Sequence, residues 1–328
     1  RYGYRLPIGT MEVVDNFPPQ ALRDYYEKWY RPDQQGIIVV GDIDPVKIEE
    51  KIKTMFADIE MPENAAERIY YPVEDTEGTI YAVGRDKEQS NALAFMMFKF
   101  DPVPAQVKGG SEYLIYQYMT RMLTSMLNAR FSEMMSNPQT PFAFASSDIG
   151  RFLISKTKEC FEVVLAGKGN DIRPAVESAY REILRAQRGG FTATEYERAR
   201  NEYLSQLEKQ YNNRNSQESG NYALQIVEHF VDNEPIPAID WLYPTMKQYS
   251  QFISVREINA MLQQLITADN RVVVAMLPEK DGYYFPTEEE MASLMKAVDA
   301  EEIEAFVDNV KTEPLIASLP APGKIVSV

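Results

Sequence analysis

The stretch Asn91-Ala-Leu-Ala-Phe-Met-Met-Phe-Lys-Phe100, closed by Pro102 and Pro104, reads as a buried strand because it is apolar at nearly every position. Thr79–Gly84 reads as a strand just before it. After it, Tyr113, Ile115, Tyr116, Met119, Met122 and Leu123 wrap so much of a helix from Ser111 to about Met135 that the helix must be largely buried. Two more strands are expected at Phe142–Ile149 and Cys160–Lys168, then a helix over 171–188 with an apolar stripe that Gly189-Gly190 ends. Thr192, with Glu195 three residues on, forms a capping box and opens a charged helix to about Tyr211. Beyond the polar break Asn212–Gly220 come helices at 221–232 and 255–266, and Arg271–Leu277 is a last buried strand. Two strands, a helix, two strands, several helices and a strand are not the alternation of a doubly wound sheet. The order predicts an α+β fold with helices on one face of a largely antiparallel sheet.

Upstream the signals are shorter. Residues 1–20 read as extended and irregular, and Ala21–Tyr30 as a short amphipathic helix that Pro32 stops. Gly36-Ile-Ile-Val-Val-Gly-Asp42 has the pattern of a strand buried on both faces, and Asp44-Pro45 starts a helix carrying Ile48, Ile52 and Met55. A helix before Ile-Ile-Val-Val resembles the later helix 255–266 before Val-Val-Val, so we expect a weak internal repeat whose first copy is truncated at its start. The organisation expected is a remnant of a preceding domain over 1–60, a linker over 61–78, a complete domain over 79–280 and a connector over 281–328, ending in a Pro-rich coil at 313–328. The chain opens on Arg1-Tyr-Gly-Tyr, so either a leader has been removed or this is a piece of something longer.

Composition excludes several activities. With 34 Lys+Arg against 49 Asp+Glu, a net charge of −15 works against nucleic-acid binding, which needs clustered cations. One histidine, His229, and one cysteine, Cys160, cannot build a zinc site of Cys and His ligands, and no internal disulfide can form. No apolar run approaches the ~20 residues of a membrane span. His229 has only Glu228 beside it, which points elsewhere on a helix, so it reads as a surface or interface residue. Cys160 reads as a small buried side chain. Gly167-Lys-Gly169 lacks the third glycine of a dinucleotide fingerprint and the Lys-Ser/Thr of a phosphate loop. Asp42-Ile-Asp44 starts like a calcium loop, but Lys47 stands where the turn needs Gly. The acidic runs at 288–290 and 301–302 read as solvated helix faces. No self-sufficient catalytic residue emerges.

As a set, however, the segments resemble a known family. Leu6-Pro-Ile-Gly-Thr10, Leu22 with Trp29-Tyr30-Arg31-Pro32, and Ile38-Val-Val-Gly-Asp42 with Asp44 are similar to the stretch after the catalytic region in pitrilysin/insulinase-family zinc metallopeptidases. Met126-Leu-Asn-Ala-Arg130 with Glu133, and Gly190-Phe-Thr192 with Glu195 and Arg198-Ala199, resemble the family's second domain. The resemblance runs in order over roughly residues 5–280, and the tail resembles the connector of the long four-domain bacterial members.

The resemblance implies a metallopeptidase or processing-peptidase-like two-layer sandwich. The family's His-x-x-Glu-His motif binds zinc through two imidazoles one helical turn apart and activates water with the intervening Glu. This chain lacks the motif, so the expectation is zinc in the parent protein and no metal, cofactor or catalytic residue here. The chain is expected to be inactive alone, forming a chamber wall and helping bind peptide substrate. The alternative is a peptide- or protein-binding or assembly module from an inactive family homologue. Family members hold the substrate carbonyl with an Arg and a Tyr from a distal domain. Arg130 matches that Arg, and Phe142 falls near the Tyr position without a hydroxyl, so the candidate substrate-binding residues are Arg130 and Phe142. A structural pairing of Arg130 with Glu133 or another carboxylate is the competing expectation. The other expected partners are the remaining domains of the parent chain. Self-association is expected through Gly36, Ile37, Ile38, Val39 and Val40, because an exposed apolar edge invites pairing. Location in the periplasm or beyond is drawn from the family's larger bacterial members.

Overall fold

The computed structural model describes residues 9–310 and positions 316, 318, 320, 321, 323 and 324. The sequence before Gly9, including Leu6-Pro-Ile8, and most of the Pro-rich coil at 313–328 lie outside the described residues.

Five strands make one mixed sheet: β1 (Thr79–Asp86), β2 (Leu93–Phe100), β3 (Phe142–Arg151), β4 (Glu159–Gly167) and β5 (Arg271–Pro278), in the order β1-β5-β2-β4-β3. Only β1 and β5 run parallel; the other three pairings are antiparallel. The apolar run that opened the sequence reading is the centre of the sheet. Ala94, Met96 and Phe98 of β2 are wholly buried, with Phe161, Val163 and Leu165 of β4 beside them and Val273, Ala275 and Leu277 of β5 on the other flank.

Those side chains share one core with the helical layer. Helix α4 (Ser111–Met135) buries Tyr118, Met122, Leu123, Met126, Leu127 and Phe131. Next come α5 (Arg173–Gly189), α6 (Ala193–Asn212), α7 (Ser219–Asp232), α8 (Ile239–Tyr249), α9 (Val255–Leu265) and α10 (Glu288–Asp299). Helices α4, α5, α9 and α10 lie on β3, β4, β2 and β1 respectively, and α6 packs on α4 and α8. The opposite face of the sheet is less covered, with Ile80, Phe144 and Met276 each 42–48% exposed. The expected α+β fold, helices on one face of a largely antiparallel sheet, is the fold observed.

The start of α6 shows how local chemistry sets a boundary. Thr192 accepts from the Glu195 backbone N–H, and the Glu195 carboxylate accepts from Thr192 N at 2.8 Å, as the capping box required. At the free edge of β3, Asn128 of α4 acts as a one-residue strand: its Nδ2 donates to Ser147 O at 3.0 Å and its Oδ1 accepts from Ser147 N at 2.6 Å.

The first 60 residues depart from expectation. Helices α2 (Pro19–Trp29) and α3 (Pro45–Met55) are present, and Asp44 caps α3 by accepting from Val46 N and Lys47 N. A short helix, α1 (Met11–Asn16), stands where irregular chain was expected; the Thr10 hydroxyl caps it. Residues 36–42, read as a buried strand, are in no sheet. Ile37 and Val39 are 53% and 47% exposed, because no neighbouring strand among the described residues takes their backbone groups. Arg31 is buried: it clamps Asp33 with two guanidinium nitrogens and donates to Ala66 O at 2.7 Å, tying this region to the linker.

The expected division at residue 280 falls inside the packed body. Met291, Met295 and Val298 of α10 are at most 1% exposed in the shared core, so the helix belongs to the fold rather than to a free connector. The C-terminal part of the expected linker is likewise fastened down. Lys99 Nζ donates to Glu74 O, Val73 N to the Thr157 hydroxyl and Thr76 N to Asn270 Oδ1.

Candidate functional site

A cavity of about 1110 Å³ opens between α4, the β3–β4 hairpin and the C-terminal end of α7. Its floor is the face of α4 bearing Tyr113, Tyr116, Gln117 and Thr120, residues three and four apart that share one side of a helix. Tyr203 of α6 and Leu242 and Met246 of α8 close the far side.

Residues 228–237 roof the cavity and are pinned by Glu234. Its carboxylate accepts from Lys108 Nζ at 2.5 Å, Tyr113 OH at 2.8 Å and Gln117 Nε2 at 3.0 Å. The turn that delivers Glu234 is Asn233 in left-handed conformation (φ 57°), one of the few residue types that tolerates it, with its side-chain amide on Ala105 O. Asp232 takes Arg151 and, at 3.4 Å, Lys156. Burial, then the neighbouring cations Arg151, Arg68 and Lys108, lower the Lys156 pKa. On β4, burial is the main cause that raises the Glu159 pKa, opposed by Lys108 and reinforced by Glu234. Burial, with Glu159 nearby, pushes the Tyr116 phenol up to about 12. The result is an aromatic floor with both signs of charge at the rim, suited to hydrogen-bonding and stacking on an extended polar chain.

The residues singled out from sequence are not together. His229 is exposed on α7, with Nδ1 2.7 Å from Glu234 O, which makes it a brace for the roof. Cys160 is buried on β4 as expected; burial, then the carboxylates of Glu162, Asp148 and Glu159, pushes its thiol up to about 12. Arg130 is 2% exposed, and its partners are Glu195, Glu182 and Gly190 O. Of the alternatives, Glu133 or another carboxylate, Glu133 is exposed on α4 while Arg130 points inward to Glu195 and Glu182. Phe142 is wholly buried, edge-on to Phe131 with ring centroids 6.1 Å apart. Missed from sequence were Lys108, Gln117 and Glu234. The i, i+4 pair Tyr113 and Gln117 was a legible signal; Glu234, more than a hundred residues away, had none.

Among the described residues no group of three or more His, Cys, Asp or Glu side chains could hold a metal ion. A catalytic zinc therefore has no fit to the residues described. No helix among them is long and apolar enough to cross a membrane.

A helical layer packed on one face of a mixed five-stranded sheet defines a two-layer α+β domain. The family model described as "Peptidase M16 inactive domain" matches residues 16–203, more than half of the chain. The chain belongs to this insulinase-like metallopeptidase family. It is 23% identical over 331 residues to "Zinc protease PQQL-like" of Arabidopsis thaliana, covering 99% of this chain and 31% of that protein. It is 24% identical over 263 residues to "Probable zinc protease PqqL" of Escherichia coli strain K12, covering 80% of this chain and 28% of that one. The crystal structure of the periplasmic protease PqqL from Escherichia coli superposes with a TM-score of 0.77 at 20% identity, covering 95% of this chain and 34% of that chain. The ferredoxin protease FusC, solved with Arabidopsis ferredoxin, superposes at 0.69 with 18% identity, covering 98% of this chain and 35% of that chain. The chain thus spans about a third of the length of the curated relatives it matches.

Proposed function

We propose that this chain is the non-catalytic part of a longer zinc metalloendopeptidase, where it forms a wall of the substrate chamber and helps hold peptide. The observation that carries the reading is the tyrosine-floored cavity beside a body that assembles no metal ligands among its described residues. Relatives named as zinc proteases support zinc elsewhere in the parent, and FusC supports a protein rather than a small-molecule substrate. Periplasmic export is part of the same proposal, supported by PqqL. For Arg130 and Phe142 we propose an indirect role in peptide binding: both lie beneath the surface and position the elements above them.

The test is peptide binding to the full chain by fluorescence anisotropy. Labelled unstructured peptides should bind saturably, and Tyr116→Ala should weaken binding about tenfold, an aromatic anchor being worth roughly 1–2 kcal/mol. The chain alone should cleave none of them and carry no stoichiometric zinc. Tightly held zinc, or no binding to the native chain, would sink the reading.

A second reading, an assembly module, is favoured by residues 9–60. Leu22, Tyr25, Tyr26, Ile37 and Val39 are each 47–60% exposed there, and such a surface marks an interaction site. Self-association through Gly36, Ile37, Ile38, Val39 and Val40 is the expected outcome in light scattering, with Val39→Lys shifting the species towards monomer. A native chain that stays monomeric at high concentration would count against it.

A further inference from the structure

Beyond α10 the described residues enter no helix or strand, yet residues 301–308 lie against the body. What holds them is a set of arginines that the peptide-binding reading does not use. Arg181, Arg185 and Arg188 recur at i, i+4 and i+7, which puts them on one face of α5. Arg181 Nε donates to Glu301 Oε2 at 2.6 Å and its Nη2 to Glu301 Oε1 at 2.8 Å, a two-pronged clamp. Arg185 Nη1 reaches Glu304 O at 2.8 Å, and Arg188 donates to Glu301 O at 2.9 Å and Asp299 O at 2.8 Å. From α6, Arg198 Nη1 takes Asp308 Oδ2 at 2.9 Å, and the Thr194 hydroxyl donates to the same oxygen.

Two features seat the backbone between those contacts. Phe306 lies over the Arg130 guanidinium, with the Cζ atom 4.1 Å from the ring centroid. Ala305 passes so close to Gly189 that a Cβ on that glycine would come within 3.3 Å of it. The glycine read from sequence as a helix stop also makes room for the passing chain.

We propose that Glu301–Asp308 is an ionic latch, an acidic strap held on α5 and α6 by arginine side chains and released when those charges are screened. Its ion pairs reach solvent at one side: Arg198 is 53% exposed and Glu301 35%, while Asp308 is 13% exposed. The Debye length falls from about 30 Å at 0.01 M salt to about 3 Å at 1 M, so pairs at the surface weaken together. Apolar contacts do not weaken in this way, so the sign of the salt effect separates an ionic latch from a clamp made by Ile303 and Phe306. The inference stands apart from the peptidase reading, since it concerns only how this chain holds its own segment.

Hydrogen exchange on the full chain, followed by mass spectrometry, tests it. Amides in 302–308 should exchange at least tenfold faster in 1 M than in 0.02 M sodium chloride, while those in the middle of α5 stay unchanged. The double variant Arg181→Gln with Arg198→Gln should show the fast rate already at low salt. Exchange in 302–308 that ignores salt in the native chain would overturn the latch. So would a folded double variant that keeps the strap protected. If the double variant loosens α5 as well, the salt dependence of the native chain decides alone. Phe306→Ala serves as the opposite control: it should leave the salt dependence in place.

Discussion

Arg130→Ala should lower the unfolding free energy by about 3–5 kcal/mol, the cost of breaking a buried ion pair from one side. Urea denaturation of the full chain measures it. The guanidinium bonds both oxygens of Glu195, at 2.6 and 3.0 Å, Glu182 at 3.1 Å and Gly190 O at 2.9 Å, between the rings of Phe191 and Phe306. Truncation leaves two buried carboxylates, of which Glu182 keeps only the half-exposed Arg185 as an ion-pair partner. Lysine should rescue little, because a single ammonium cannot fork between two carboxylates and a carbonyl. A triple variant, Arg130→Met with Glu182→Gln and Glu195→Gln, should be more stable than Arg130→Met alone, since it leaves no charge stranded. A loss below about 1 kcal/mol for Arg130→Ala, the range of exposed pairs, would show that the network is not a buried one.

Gly190→Ala should cost about 2–4 kcal/mol, through two effects at one atom. Gly190 has φ 74° and ψ 178°, a region closed to side chains at about 1–3 kcal/mol. A Cβ would also stand 2.6 Å from Asn259 Nδ2. Asn259 cannot retreat freely: its Oδ1 accepts from Phe191 N at 2.8 Å and its Nδ2 donates to Phe191 O at 3.1 Å, so displacement costs those bonds too. Because Gly190 O is also a partner of Arg130, the two substitutions share a site. The double variant should lose less than the sum of the singles in the same denaturation experiment. Strict additivity would show that the turn and the ion network are independent.

Which features could be read in advance follows from what each depends on. The strands from 79 to 278 and helices α4, α5, α6, α7 and α9 came within a few residues, since periodicity and caps are local properties. Residues 36–42 failed for the opposite reason: Ile-Ile-Val-Val has strand propensity, but a strand exists only where another chain segment accepts its ladder. Helix α8 was not expected: Pro244 stands inside it, and packing on α6 rather than a local pattern secures it. The packing of Met291 and Met295 into the shared core depends on distant partners, which no local pattern past residue 280 reveals. Around the cavity, the tyrosine face of α4 was legible, whereas Glu234 could be joined to it only through the fold. The carboxylate partners of Arg130 lie 52 and 65 residues away, a pairing that only the fold could reveal.

The small amide of Asn128 has a consequence out of proportion to its size. By occupying both backbone groups of Ser147, it closes the outer flank of β3 to any further strand at that point. An amide on the α4 helix thus does, for one residue of β3, what a sixth strand would otherwise do.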